Sequence, residues 1–559
     1  MTTRLSSTPA RGLSHTTALL GCLLGVAAGL AGCNSSTSGT PSPDGGLDAD
    51  SVRFLEQSTF GPTEALAVAV QDAGFASFLG AQFATAPSSL GTYPPVVQSP
   101  AVVCPPTAPS NCYRDNFSAF QPSVQFFRNA LAGSDQLRQR VALALSQILV
   151  VSDEEVPSTY GVGDYEQLLL NDAFTNYRQI LQDVTLSPAM GRYLNMVNND
   201  KANATEGTHP NENYARELLQ LFSIGLVQLN PDGSMVMDSN GQPVPTYTQS
   251  VIDGFAAVFT GWTYPTAPGA TPLGHNPTYY RGVMEAVQAN HDTTAKTLLN
   301  GVTLPAGQTA AQDLTGALDL LFSHPNVGPF IGKQLIQFLV TSNPSPAYVA
   351  RVSAVFANNG SGVRGDMQAV LQAILLDPEA RGAVQSGTGY GKLREPVLLA
   401  ANLARALGVQ SDGVYLRNGA ASMEQPLYES GSVFNFYPPN YPLPGTMLVS
   451  PPSTLLDTAS ALTRSNFIYA LLFDTISPDP TIPGATGTSA PLTAFLASAS
   501  DAGGLADRLN ALLLHGTMSS GMRQAVLNAV NAIPSTDAID RVRAAAYVIG
   551  TSAQYQVEQ

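Results

Sequence analysis

In residues 135–151 the apolar side chains Leu137, Val141, Leu145 and Ile148 recur every three or four positions. That period gathers them on one face of an α-helix, whereas a strand would scatter them over both of its faces. Ser134 or Asp135 supplies an N-cap. Helical patterning returns across most of the chain: residues 53–83 with a restart at Gly61-Pro62, then 165–184, 210–225, 250–259, 309–340, 346–358, 366–376, 396–407 and 502–551. Pro62, Pro210, Pro346 and Pro396 stand where helices open, a place where the missing proline N–H is not needed. Residues 93–116, 430–452 and 478–489, and a stretch reaching about residue 290, are Pro-rich loops. Asp232-Gly233 and Asn240-Gly241 bracket a short polar segment that reads as a hairpin. No repeat period and no strand series long enough for a large sheet is present. The pattern predicts a mainly α protein: a multi-helix single elaborated domain with long Pro/Gly-rich loops and one or two short β-hairpins.

Apolar residues make up 44% of the 559 and charged residues 12%, about half the charged share of an average soluble protein. Such a chain buries a sizeable core and is not intrinsically disordered. The net charge is −15, from 26 basic and 41 acidic residues. That balance argues against nucleic acid, whose binding rests on neutralising phosphates, and against electrostatic docking on anionic lipid.

Arg4 and Arg11 form a basic start before residues 16–32, an uncharged apolar run too short for a comfortable membrane span. The run ends in Leu30-Ala31-Gly32-Cys33, which resembles the bacterial lipoprotein box, where the Cys thiol receives diacylglycerol. The expectation is a signal peptide over 1–32, a lipidated Cys33, a flexible tether over 33–49 and one large helical domain over 50–559. The alternative is a plain signal peptide with a chance Cys. More than one acyl chain makes anchoring stable. Membrane attachment is then through lipid only, and Asn34 after the anchor favours the outer membrane, by resemblance to Gram-negative lipoproteins. Cys22 leaves with the signal, so Cys104 and Cys112 remain, and in an oxidising compartment two leftover Cys most often pair. A metal reading of that pair lacks a second Cys or His pair nearby.

Familiar catalytic signatures are missing. No His begins a His-Glu-x-x-His zinc motif, Gly-x-Ser-x-Gly does not occur, and Gly332-Lys333 and Gly391-Lys392 lack the spacing of a phosphate-binding loop. Gly387-Thr-Gly389-Tyr-Gly391 follows no strand and reads as a flexible loop. Asp238-Ser-Asn240-Gly241 looks like part of a calcium loop without its first Asp and distal Glu, so a turn is the better reading. No cofactor and no metal is specified.

Several strings together resemble one bacterial family of unknown function, DUF1800. They are Arg53-Phe-Leu-Glu-Gln-Ser-Thr-Phe-Gly-Pro-Thr63, Asp135-Gln-Leu-Arg-Gln-Arg-Val-Ala-Leu-Ala-Leu-Ser-Gln147, Asn211-Glu-Asn-Tyr-Ala-Arg-Glu-Leu-Leu-Gln-Leu-Phe222 and Phe259-Thr-Gly-Trp262. His291-Asp292 with Lys296, His324-Pro325 with Phe330, and Ser432-Val-Phe-Asn-Phe436 complete the set. The order and spacing run over nearly the whole mature chain, with the Cys104/Cys112 loop as a local addition. The resemblance implies a secreted or surface bacterial protein in one continuous helical unit, and no reaction. Members often lie beside secreted proteins that look like the alkaline phosphatase and sulfatase superfamily, which implies such a protein as a possible partner.

Chemistry concentrates in two places. In residues 212–224, Tyr214, Leu218, Leu221 and Phe222 make an apolar stripe, and Glu212 and Arg216 are four apart and can pair. Glu217 projects to the stripe edge beside Asn213, where half-burial raises a carboxyl as a general acid or base needs. A capped helix start with a structural Arg–Glu pair is the plainer reading. His291-Asp292 opens a further helix, with Asp292 or Thr293 as its cap and Lys296 one turn on. It is either a proton shuttle or metal ligand, or a satisfied capping pair. Trp262 and Tyr264, with Tyr279-Tyr280, and Phe434, Phe436, Tyr437 and Tyr441 either present aromatic faces for a sugar or peptide, or plug the core. The leading expectation is a cell-envelope lipoprotein binding a glycan or protein partner near the 212–224 helix, through Asn213, Arg216, Trp262 and Tyr264. The rival is an exported hydrolase of glycans or of phosphate or sulfate esters, using Glu212, Glu217, His291 and Asp292.

Overall fold

A computed structural model describes residues 46–382 and 389–559. The signal segment, Cys33, the tether as far as residue 45 and Gly387 of the glycine-rich run lie outside the described residues.

The helix read most clearly in the sequence, Gln136–Ile148, lies at the centre of the fold. Twelve of its thirteen residues are buried, so its polar side is covered as well as its apolar stripe. Arg140, fully buried, donates to the Phe338 carbonyl at 2.8 Å, and Gln136 Nε2 donates to the Gly133 carbonyl at 2.9 Å. A helix covered all round is a core helix, and one stripe understates its burial. Asp135 stands at its N-cap position without capping it. Its carboxylate instead accepts from the Ser88 N–H at 2.7 Å and ties an outer loop to the helix start.

Around this centre the described residues form 23 α-helices and only short strands, the mainly α class expected. One buried apolar cluster runs from Val52 to Tyr555. The expected restart at Gly61-Pro62 is present. Ala49–Ser58 ends before it, and Glu64–Ala73 begins after it under a cap from the Thr63 hydroxyl. Gly61 has a φ of +128°, and a Cβ there would lie 2.7 Å from Asn402 Nδ2, so only glycine lets the loop touch the Pro396–Ala406 helix. Residues 165–184 do not form one helix. They divide between Thr159–Asp172 and Tyr177–Leu186, because the Asn176 side chain accepts from the Arg178 N–H and starts a second helix.

The strands form four two-stranded pairs among the described residues. Lys296–Thr297 with Thr303–Leu304 is a local hairpin. Trp262–Thr263 with Glu285–Ala286 closes a long loop, and the other two pairs join distant segments. The polar segment bracketed by the two Asx-Gly pairs is a ribbon of isolated bridges, Leu229 with Met235 and Met237 with Pro243. Asp238 accepts from the N–H groups of Asn240 and Gln242, which makes it a turn residue. Cys104 and Cys112 are disulfide-bonded, with Cα atoms 5.7 Å apart. No described helix is long and apolar enough to cross a membrane.

Candidate functional site

The helix holding the first candidate set is Asn213–Gln220, shorter than expected, with Pro210 in the loop before it. Glu212 occupies its N-cap position and pairs with Arg216, and Gln249 Nε2 donates to Glu212 Oε2 at 2.6 Å. The bond from Arg216 holds the Glu212 carboxyl below the usual range. Both side chains are more than a third exposed, so this is a surface pair of the kind that contributes about 0.2–0.5 kcal/mol. Asn213 is exposed and donates to Asn195 Oδ1 at 2.9 Å. Glu217 matches its expectation more closely. It is half-buried, its Oε2 has no hydrogen-bond partner, and burial raises its proton affinity against the pull of Arg216.

The second set is arranged differently from its reading. His291 does not open a helix. It follows the short turn Gln288–Asn290 in extended backbone, and Asp292 caps a tight turn by accepting from the Thr294 N–H at 2.7 Å. His291 is fully buried. Its Nδ1 lies 2.9 Å from the Thr260 carbonyl and its Nε2 3.0 Å from Asp313 Oδ2. Lys296 Nζ sits 2.7 Å from the same carboxylate and donates to the carbonyls of Asp292 and Thr294. Both ring nitrogens are engaged, which leaves none for a metal or a proton shuttle. The group is a buried clasp fastening the 288–304 segment to the helix Ala310–Ser323. Gly261 allows the close approach: at a φ of +78°, its Cβ would lie 2.8 Å from that of His291. The sequence reading missed Asp313. Its signal was an Asp among Ala310, Leu314, Ala317 and Leu321, on the buried side of that helix.

Trp262 and Tyr264 are each 5% exposed and present no open face to a ligand. They serve as supports. Trp262 pairs with Ala286, and the ring of Tyr264 meets Tyr280 edge-on at 5.8 Å. This positions the segment from Tyr280 to Val283 on the wall of a cleft that the sequence reading did not locate.

The cleft runs along the outer face of Thr159–Asp172 in two adjoining parts, of ≈ 440 and ≈ 520 Å³. Asp164, Gln167 and Asn171 line both parts, at three- and four-residue spacing on one helix face. Arg281 also lines both, with Nε 2.9 Å from Asp164 Oδ2 and a bond from Nη2 to the Tyr93 carbonyl. Gln167 holds the opposite wall by accepting from the Leu90 N–H at 2.8 Å. Asp172 and Asp183 meet at one end, across the break between the two helices. Burial first, and then the Asp183 charge, push the Asp172 carboxyl up to about 7, and its Oδ2 meets no donor. Asp172 therefore holds its proton near neutrality, beside Asp183. Nothing in the local sequence marks it, since the helix break that brings the two residues together was not read.

The family model DUF1800, described as a protein of unknown function, matches residues 53–557. No curated protein and no solved structure matches the chain.

Proposed function

Because the chain belongs to DUF1800, a family whose description assigns no activity, the function must be argued from the site, and we propose an envelope lipoprotein that binds an uncharged glycan along the Thr159–Asp172 helix. The observation that carries this reading is the pair of adjoining polar clefts sharing Asp164, Gln167, Asn171 and Arg281. Their size is that of ligand sites, and amide, carboxylate and guanidinium groups suit the hydroxyls of sugars. Asp164, Asp172 and Asp183 disfavour an anionic ligand, which turns the reading away from phosphate and sulfate esters. The Cys104–Cys112 disulfide supports an oxidising compartment, in keeping with the lipoprotein box at Cys33.

The test is calorimetric titration of the chain from Asn34 onward with soluble fragments of envelope glycan. Asn171→Ala and Arg281→Ala should each weaken binding about tenfold, or ~1.4 kcal/mol. Wild-type affinity in both variants sinks the cleft as the site. Capture of an exported phosphatase- or sulfatase-like protein, without glycan binding, would favour the protein partner instead. The address is tested by radiolabelled palmitate, which should enter the wild type and not Cys33→Ala.

A second reading, hydrolysis of the bound glycan, is favoured by one observation: Asp172 holds a proton near neutrality at the cleft end, as a general acid does. Release of reducing ends that Asp172→Asn abolishes would establish it, and binding without release would leave a binding protein.

A further inference from the structure

The ribbon that contains the two Asx-Gly turns has three bridges: Val227 with Pro245, Leu229 with Met235, and Met237 with Pro243. Bridged residues of an antiparallel pair point to the same side, and so do residues two apart on one strand. Val227, Leu229, Met235, Met237, Pro243 and Pro245 therefore share one face, and all six are apolar. An antiparallel sheet ordinarily packs such a face on the core. Here the face is turned outward. Met235 and Met237 are 53% and 55% exposed, and both prolines are exposed. None of the four aliphatic side chains belongs to the main buried cluster or packs against it.

Each of the three segments pairs with both of the others, and two prolines remove N–H donors from the last one. The ribbon thus offers a surface to a partner, and no open strand edge. The face carries no charge. From residue 218 to 252 the charged residues are Asp232 and Asp238. Both stand at turns: Asp232 accepts from the Ser234 N–H at 2.9 Å, and Asp238 from the Asn240 and Gln242 N–H groups at 2.8 Å.

Size and position say what covers this face. A standard protein interface takes about 20 residues a side, and six side chains fall well short of that for a partner protein or a second copy. A bilayer needs less, because a lipid tether already holds it at high effective concentration. The ribbon is also linked to the start of the domain by a short run of contacts. A Cβ on Gly233 would lie 3.1 Å from Val349, on the helix Pro346–Ala357. Arg351 of that helix pairs with Asp377 at 2.7 Å, and the Arg381 N–H donates to the Asp377 carbonyl at 3.0 Å. Arg381 pairs in turn with Asp50 of the first helix, Ala49–Ser58, at 3.1 Å. Cys33 precedes Gly46, the first described residue, by 13 positions, and a chain of that length reaches at most about 45 Å. We propose that the apolar face of the ribbon is a membrane-contact surface, resting in the interfacial zone of the bilayer to which Cys33 anchors the chain. This rests on the reading of Cys33 as the lipid anchor and adds an apolar contact to it. The acyl chains hold the protein at the bilayer, and the ribbon fixes which side of the domain faces it.

The test uses the chain from Asn34 onward, which keeps the whole buried cluster from Val52 to Tyr555. A histidine tag at its start holds it to phosphatidylethanolamine and phosphatidylcholine vesicles that contain a nickel-chelating lipid. Because the tag replaces the lipid, the result does not depend on what Cys33 carries, which the palmitate label decides separately. An environment-sensitive dye on Met237→Cys should shift to the blue on the vesicles and be quenched by brominated lipid. The same dye on Val302→Cys, an exposed apolar position outside the ribbon, should do neither. Met235→Asp beside the dye should abolish both signals, since a charge on that face opposes burial in lipid. A dye at position 237 that stays in water on the vesicles overturns the contact, and so does equal quenching at position 302. A blue shift that grows with protein concentration without vesicles makes a second copy the occupant and also overturns it.

Discussion

Asp172 is a half-buried carboxyl and Asp313 a fully buried one, and their surroundings give them opposite tasks. Asp172 faces a second carboxyl and holds a proton, while Asp313 anchors Lys296 and His291. The folded Asp172 pKa lies above its ordinary value, so folding favours its protonated form. Its contribution to stability is full below about 3.8 and is lost as pH rises through about 7. Melting curves of the wild type should therefore fall between pH 4 and 8 relative to Asp172→Asn, which keeps a neutral side chain throughout. Parallel profiles for the two proteins would show that Asp172 does not hold its proton to neutrality. At the clasp, Asp313→Ala removes the partner of two buried side chains and should cost about 3–5 kcal/mol in urea unfolding. A loss under 1 kcal/mol would mean that Lys296 and His291 find water or other partners. Of the residues singled out from the sequence, Glu217 is half-buried and raised as expected, because its helical position alone sets its place at the stripe edge. His291 could not be read in this way, since its partners come from residues 260 and 313.

Among the elements, the helix Gln136–Ile148 is buried on twelve of its thirteen residues. Leu145 is fully buried within the main apolar cluster, and Leu145→Ala should destabilise the protein by about 2–5 kcal/mol, through lost transfer energy and the cavity left behind. Denaturant midpoints of the variant and the wild type measure this directly. A loss below 1 kcal/mol would show that the surrounding helices close the gap. The helical period identified this element because helix formation and side-chain facing are local properties. Its polar side was legible only in part. Arg140 and Gln139 follow the spacing of a solvent face, yet other helices cover them. Breaks were the weaker part of the reading. The Asn176 cap, which divides 165–184, competes with an otherwise good helical pattern, and that one break builds the Asp172–Asp183 pair.

At the scale of the whole molecule, Glu56 joins parts of the chain far apart in sequence. It lies 3.2 Å from Arg394 Nη2 and 2.7 Å from His515 Nε2. Burial pushes its pKa up, but Arg394 and His515 outweigh burial and hold it down to about 2. The sign is the reverse of that at Asp172: this contribution is present above about 4.5 and is lost as pH falls toward 2. Acid titration followed by circular dichroism should show wild-type stability falling over that window, and Glu56→Gln should be flatter there. Equal slopes would place the acid sensitivity elsewhere in the molecule.

Composition, helical period and turn residues determined the mainly α class, the central helix, the restart at Gly61-Pro62 and the turns at Gly233 and Gly241. Each of these depends on residues within a few positions of one another. The order of motifs along the chain was enough to identify the family. Tertiary structure alone decided which polar residues share a space: the clasp around Asp313, the cleft along Thr159–Asp172, and the proton held on Asp172 beside Asp183. Burial and electrostatic pairing are set by distance through space. The partners concerned lie from 11 residues apart, as Asp172 and Asp183 do, to 459 apart, as Glu56 and His515 do, and no local pattern encodes them.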